Sequence, residues 1–329
     1  MDITGFISKH RKLLLAGFLV LILIAIATLP LYGRTYDVRL MISILAYVAM
    51  AISWAMFSGV TGYMSLAPAA FLGVGIYAVA LLQRELPFPV IIVIGGLMAF
   101  GLAILVGLVT LRLKGIYFAI FTFGLVVLMA RVIEYLEAML FNLHSRHILS
   151  VGTANSLYMM LGLAVVTVLS VYFIKRSRYG LALLSIGGNE EAAAHMGVNT
   201  TRVKVLLFAV SAIFMGAAGA IMAPTLIYIN PGNAFGLVYS FMPILMAVFG
   251  GMGQLYGPVI GAVAFGYIEE WLRKELGGSF MLAFGIILIL VIVFLPNGIV
   301  GLVPMVRSKL GWVIQKLRKG GQAEQHANA

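Results

Sequence analysis

The chain has 329 residues, 62% of them hydrophobic and 10% charged, with a formal net charge of +11 and no cysteine. A soluble domain carries about 25% charged residues to cover its surface, so this composition excludes an ordinary water-soluble enzyme. The missing cysteine excludes disulfides, thiolate catalysis and cysteine metal sites. The positive charge lies in the tails and in alternate loops, a pattern that orients a protein in a membrane rather than building a phosphate-binding face.

In chain order, a basic N-terminal segment (1–12) precedes ten apolar runs. They cover 13–31, 40–57, 69–82, 90–111, 116–133, 157–174, 205–228, 237–249, 258–271 and 280–295. Most approach the roughly 20 residues that cross a bilayer core. The sequence therefore predicts an all-α, polytopic transmembrane bundle of about ten spans, occupying 13–302. A basic tail follows at 303–329. The first run is read as a retained helix rather than a cleaved signal, because it lacks a small-residue cleavage site. Lys and Arg concentrate in both tails and around Arg112, Lys114, Lys175, Arg176, Arg178 and Arg202. The positive-inside rule then puts both termini and the loop 175–204 in the cytoplasm.

The third, eighth and ninth runs are short and adjoin Gly-rich stretches at 58–68 and 250–257. Non-helical backbone at membrane depth survives only where protein or a water-filled cavity shelters it. Each stretch reads either as a broken, re-entrant helix beside a pathway or as a tight surface loop. Candidate pathway residues are Ser58, Thr61, Tyr63 and Ser65 from the first stretch and Gln254 and Tyr256 from the second. Each of them also reads as an ordinary helix-to-helix hydrogen-bonding residue.

Several kinds of chemistry have no motif here. There is no G-x-x-x-x-G-K-[ST] for ATP and no H-E-x-x-H. His144 and His147 sit in one loop without a third ligand in register, and no metal or other cofactor is expected in this chain. The span centres hold no Asp, Glu, Lys or Arg, whereas ion-coupled carriers place such groups within the membrane. Arg131, Glu134 and Glu137, and likewise Glu269, Glu270, Arg273 and Lys274, read as salt-bridged or solvated helix ends.

The loop 175–204 contains Gly-Gly-Asn-Glu-Glu-Ala-Ala-Ala-His-Met-Gly at 187–197. Asn189 is a good N-cap. Glu190 and Glu191 suit the positive end of a helix dipole, and Ala192, Ala193 and Ala194 are strong helix formers. His195 suits the negative end, Met196 follows, and Gly197 can close the helix in the left-handed region. So short a helix needs a support. The residues leave two supports open, the chain's own bundle or a groove on a partner.

The stretch RYGLALLSIGGNEEAAAHMGVNTTRVK at 178–204 resembles the cytoplasmic coupling segment of ABC importer permeases, whose core is Glu-Ala-Ala followed by Gly. GVTGYMSLAPAAFLGVGIY at 59–77, LRLKGIYFAIFT at 111–122, FGGMGQLYGPVIG at 249–261 and the ending LPNGIVGL at 295–302 resemble further segments, in order, of the branched-chain amino-acid ABC importer permeases of the LivM type. The chain departs from the pattern at Ala67 and Pro68, where Gly-His is usual, and at Tyr63, often Gln. It departs again at 144–155, where a Gly-rich motif is usual, and at Ser185, Gly187 and Gly188, where the run is usually more basic.

The resemblance implies a non-enzymatic permease of a bacterial inner membrane, forming half of a pathway for a small organic solute. Members of that family carry branched-chain or other amino acids, amides, urea or aromatic acids. It also implies a second related permease, an extracytoplasmic solute-binding protein and two cytoplasmic ATPase subunits, which hold the ATP and Mg. Residues Asn189–Gly197 would then transmit ATPase motion. Membrane lipid surrounds such a chain, and nucleic acid has no part in it. The rival reading is an ion-coupled secondary transporter working without an ATPase, since such carriers also use broken helices.

Overall fold

The computed structural model describes residues 20–113, 115–141, 145–149 and 151–294, together with positions 17, 298 and 299. The expected segments 1–12 and 303–329, most of 13–19, Lys114, His144 and the end of the last run lie outside the described residues. Each of the ten apolar runs falls on a helix. In order these are α1 (Val20–Tyr32), α2 (Thr35–Thr61), α3 (Pro68–Leu82), α4 (Phe88–Thr110), α5 (Ile116–Phe141) and α6 (Thr153–Arg176). The loop helices α7 (Arg178–Gly188) and α8 (Glu190–His195) follow, then α9 (Thr200–Met222). The chain ends its described course with a short α10 (Pro231–Ala234), α11 (Val238–Gly250), α12 (Gly257–Leu276) and α13 (Phe280–Phe294). Two two-residue strands, β1 (Arg146–His147) and β2 (Tyr228–Ile229), pair antiparallel. The fold is an all-α membrane bundle. Among the described residues 6 helical stretches are long and apolar enough to cross a membrane, and α1, α3 and part of α13 are shorter apolar helices. Each run is thus largely helical where it is described, while six stretches among the described residues meet that standard and the count of ten spans is not established.

Two helices begin inside the bundle rather than at its end. After Gly62, which takes φ 74 and closes α2, the chain turns back without helical structure through 62–67. The Trp54 indole donates to the Ser65 carbonyl at 2.8 Å. Trp54 stands seven residues before the end of α2, about 10 Å back along the helix. The Leu66 amide donates to Thr122 Oγ1 (2.9 Å) in α5. Ser240 Oγ, near the start of α11, donates to the Leu66 carbonyl (2.8 Å) and accepts from the Ala69 amide (3.1 Å). Side chains from three neighbouring helices thus satisfy the backbone freed by the break, as a low-dielectric setting demands.

The first break therefore lies where the Gly-rich stretch 58–68 suggests. The second lies before α11, not after it. The chain runs from β2 along α3, stacking Phe235 on Tyr77 (5.7 Å between centroids), before α11 starts at Ser240's level. Residues 251–256 instead form the turn of an α11–α12 hairpin. Their flanking glycines serve contact: a Cβ on Gly250 would collide with the Gly257 carbonyl, and one on Gly261 with the Met246 carbonyl.

Helices α2 and α9 are buried along most of their length, and α3, itself buried, packs on α9 and α4. The outer helices α4, α5 and α6 leave Val93, Leu105, Ile120, Leu128 and Phe173 exposed, as lipid-facing or partner-facing helices do. Small residues set the closest crossing. A Cβ on Gly75 of α3 would run into the Gly216 carbonyl of α9, and one on Gly219 into the Leu72 carbonyl. Apolar burial drives little association within lipid, so such backbone contact supplies much of the packing. Gly101 of α4, by contrast, has nothing within 4 Å of its Cβ position. Gly75→Ala should therefore destabilise the bundle by about 1–3 kcal/mol. Gly101→Ala should be neutral or stabilise by up to about 1 kcal/mol. Thermal midpoints of the detergent-purified variants check the difference, and equal midpoints would refute the contact-driven crossing.

Candidate functional site

Asn189 caps α8 from its side-chain oxygen, which accepts the amides of Glu191 and Ala192, both at 3.0 Å. Two crossing bonds close the other end: Gly197 N–H to the Ala194 carbonyl (3.0 Å) and Val198 N–H to the Ala193 carbonyl (3.1 Å). That pair is a Schellman closure, which needs a left-handed residue, and Gly197 supplies it with φ 85. Asn199 then caps α9 by accepting from Arg202 N–H at 3.0 Å. The local structure from Asn189 to Gly197 is the short doubly closed helix that its residues predict.

Its support is also visible. Ala193 is fully buried against the bundle, while Glu191, Ala192, Ala194, His195 and Met196 are exposed. The two glutamates part company at this point. Glu190 turns inward, where its carboxylate accepts from Lys204 Nζ at 2.5 Å and from Tyr63 Oη at 2.6 Å. Lys204, near the start of α9, is 3% exposed. Its ammonium also donates to the Leu111 carbonyl at the end of α4 (3.1 Å) and to Tyr63 Oη (3.2 Å). Burial resists ionisation of Glu190, but hydrogen bonds from Lys204 and Tyr63, the Lys204 charge and a bond from Thr200 together hold its carboxyl below the usual range. Glu190, Tyr63 and Lys204 thus pin α8 to the break after α2 and to the ends of α4 and α9.

The four candidate pathway residues of the first stretch come together at that break, and their hydroxyls serve it. Thr61 Oγ1 donates to the Phe57 carbonyl (2.8 Å) and accepts from Tyr63 N–H (3.3 Å). Ser58 Oγ accepts from Ser65 N–H (3.4 Å), and Ser65 Oγ from Ala67 N–H (3.3 Å). Gln254 and Tyr256 stand exposed on the α11–α12 turn. Met252 of that turn packs beside Gly59, but among the described residues no hydrogen bond joins Gln254 or Tyr256 to the other four. Gly187, one of the departures from the family pattern, lies so close to α2 that a Cβ there would collide with the Val60 carbonyl.

At the opposite end of the bundle, two carboxylates read as salt-bridged or solvated helix ends are salt-bridged and buried rather than solvated. Glu137 is 4% exposed, accepting from Arg146 at 2.6 Å and from Tyr77 Oη at 3.1 Å. Glu269 is 6% exposed and paired with Arg273 one turn on. An arginine beside each carboxylate offsets the loss of water. Arg131 and Glu134 do form the exposed i, i+3 pair that their spacing suggests, at 2.8 Å. Sequence periodicity missed Lys204, whose one signal was its place on the apolar face of a long helix. His147 lies in β1, edge-on to Tyr228. Among the described residues no group of three or more His, Cys, Asp and Glu could hold a metal ion.

The chain is a helical membrane bundle with broken helices and a pinned, capped loop helix, a frame that a transport permease fits. Residues 37–295 match the family model of the branched-chain amino acid transport system permease component, and the chain belongs to that family. It is 26% identical to the high-affinity branched-chain amino acid transport system permease protein LivM of Escherichia coli K12, over 97% of this chain and 80% of that protein. It is 31% identical to LivH of the same strain over 39% of this chain and 42% of that protein. Similarity reaches the ribose import permease RbsC of Haemophilus influenzae, 28% identical over 41% of this chain and 43% of that one. Among solved structures, PsaBC from Streptococcus pneumoniae in complex with Fab aligns over 83% of this chain and 92% of its own, at 17% identity and a TM-score of 0.44.

The pin carries a pH sign. A carboxyl held below its usual range stabilises the fold above that range and loses its contribution as pH falls through the lowered value. Protease cleavage around α8 should therefore begin only under acid conditions. Lys204→Met removes the main group holding Glu190 down, at about 1–3 kcal/mol, and should move the onset to higher pH. An unchanged onset in limited proteolysis would mean that Lys204 does not hold α8.

Proposed function

We propose that this chain is half of the membrane pathway of an ATP-driven importer for a small amino acid, branched-chain or related. It pairs with a second related permease and receives solute from an extracytoplasmic binding protein. Two cytoplasmic ATPase subunits drive it, one of them gripping α8. In this reading α8 and both termini lie on the cytoplasmic side of a bacterial inner membrane, as the Lys and Arg distribution favours.

The observation that carries the proposal is the division of α8 into two faces. The inner face, Glu190 and Ala193, is fixed to the bundle. The outer face, Ala192, Ala194, His195 and a 71% exposed Met196, is free to enter a groove. An adaptable methionine on a small-residue surface suits such docking. Force applied to the outer face would pass through Glu190 to Tyr63, and so to the break that starts α3. Alternating access requires an element of this kind, whose two arrangements an outside partner can bias.

The rival ion-coupled carrier draws support from the buried carboxylates Glu137 and Glu269. Each is paired with an arginine, so an ion entering there would compete with a partner the chain already supplies. Reconstituted with both kinds of partner subunit and the binding protein, the chain should take up solute only with ATP, and uptake should survive collapse of the proton and sodium gradients. Gly197→Val places a β-branched residue at φ 85, at a cost of about 1–2 kcal/mol. It should abolish stimulated ATPase activity and uptake while leaving membrane insertion intact. Gradient-driven uptake by this chain alone would overturn the proposal.

A further inference from the structure

The chain turns sharply where α6 gives way to α7. Ser177 is extended, with φ -83 and ψ 169, and two glycines fix the direction that α7 then takes. A Cβ on Gly180 would collide with the Ile174 carbonyl at the end of α6, and one on Gly187 with the Val60 carbonyl near the end of α2. The seven residues between these glycines span about 10 Å of helix, close to the separation of two packed helix axes, and α2 and α6 pack side by side. Helix α7 therefore lies across the end of the bundle, from α6 to α2. Leu183 and Ile186 are buried on its inner side, while Leu181 and Leu184 stand 62% and 64% exposed.

The corner carries positive charge that the chain does not answer. Lys175, Arg176 and Arg178 fall within four residues, and no Asp or Glu occurs between Glu137 and Glu190. None of the three cations has a carboxylate partner among the described residues. Glu190 is turned away toward Lys204. The Arg176 guanidinium lies 4.4 Å over the Tyr172 ring and that of Arg178 5.1 Å over the Tyr179 ring. Stacking of this kind orients a guanidinium while leaving N–H groups at its edge for an oxygen ligand. An apolar row leads up to the corner. Val166, Leu169 and Phe173 are exposed along α6, and their spacing of three and four places them on one face with Arg176. An apolar row, then tyrosines, then unanswered cations is the order in which a bilayer presents acyl chains, interface and headgroups.

We propose that this corner binds an anionic phospholipid. Arg176 and Arg178 take the headgroup phosphate, the acyl chains follow Val166, Leu169 and Phe173, and Leu181 and Leu184 dip into the same lipid. The Asn189 amide ends α7 by donating to the Ser185 carbonyl (3.0 Å), and the Asn189 side chain caps α8. A lipid that fixes α7 therefore also steadies α8. The site goes beyond the importer reading and needs no ATPase to exist.

The full chain carrying Ser185→Cys as its one cysteine can be labelled with bimane and placed in phosphatidylcholine nanodiscs. Position 185 shares a face of α7 with Arg178 and Leu181 by its spacing. A small share of brominated lipid, either phosphatidylglycerol or phosphatidylcholine, then quenches the probe according to its local concentration. Phosphatidylglycerol should be preferred by about fivefold for each basic residue it meets. Raising salt from about 0.1 M to about 1 M shortens the Debye length from about 10 Å to about 3 Å and should lower the preference. Arg176→Gln with Arg178→Gln should lower it by about fivefold for each arginine replaced. Arg112→Gln, an exposed cation just past α4, should leave it intact. Both changes remove exposed groups, so the thermal midpoint in phosphatidylcholine alone should stay at the wild-type value. Inorganic phosphate, compared with chloride at equal ionic strength, should not displace the lipid, because it lacks acyl chains. Amide exchange at residues 190–195 should be slower with phosphatidylglycerol than without it, and the difference should vanish in the double variant. Equal quenching by the two lipids, or a preference indifferent to salt or to the two arginines, would overturn the proposal. Displacement by phosphate would make the corner a free-anion site, and absence of quenching by either lipid would mean that protein or water covers it; each overturns the proposal, as does exchange in α8 that ignores the lipid. The importer reading is judged separately by the ATP requirement for uptake: gradient-driven uptake by a chain that still prefers the anionic lipid would sink that reading and keep this site.

Discussion

One ammonium, that of Lys204, organises the end of the bundle where the loop helices gather. A lysine 3% exposed carries a desolvation penalty of several kcal/mol unless its charge is met. Three groups from three parts of the chain meet it: the Glu190 carboxylate, the Tyr63 hydroxyl and the Leu111 carbonyl. Satisfying that single charge brings together the start of α8, the break after α2 and the end of α4. Tyr63 then leads into the 62–67 segment, where Ser58, Thr61 and Ser65 hold the backbone in its reversed course. The helix break and the loop helix are therefore one electrostatic and hydrogen-bonded unit, although 127 residues separate Tyr63 from Glu190.

Much of the fold was legible because lipid imposes a simple code. Runs of apolar residues became helices, and Gly59, Gly62 and Pro68 marked a real break. The capping signals at Asn189 and Gly197 fixed α8 because they act over three or four residues and need no tertiary context. What escaped the sequence depended on long-range pairing. The second break was sought at 250–257, since glycine signals irregular backbone and close packing alike. There it serves packing, through Gly250, Gly257 and Gly261. The true irregular stretch before α11 is held by Ser240 and Phe235, whose roles follow only from where α3 lies. Of the candidate pathway residues, Ser58, Thr61 and Ser65 brace the break, and Gln254 and Tyr256 stand apart from them.

Charge burial was the least legible feature of all. Glu137 and Glu269 sit near helix ends, where a carboxylate is normally solvated, and their pairing with Arg146 and Arg273 withdraws both from water. Their presence weakens any argument against ion coupling that rests on a lack of buried acids. The importer reading stands instead on the family to which the chain belongs and on the two-faced geometry of α8. Glu190 in particular is part of the bundle's own anchoring, so the surface left for a partner is the Ala192, His195 and Met196 side of the helix.

The central claim is that Glu190 joins α8 and the 62–67 break into one unit. Amide hydrogen exchange in the intact chain tests it, comparing wild type with Glu190→Gln. Glutamine retains the side chain's shape and removes the charge that Lys204 and Tyr63 grip. Local opening reports the stability of just such a unit. Exchange should rise together in α8 and at residues 62–69, including the Leu66 and Ala69 amides bonded to Thr122 and Ser240, with the α3–α9 crossing unchanged. Faster exchange confined to α8, with 62–69 as protected as in wild type, would contradict the account.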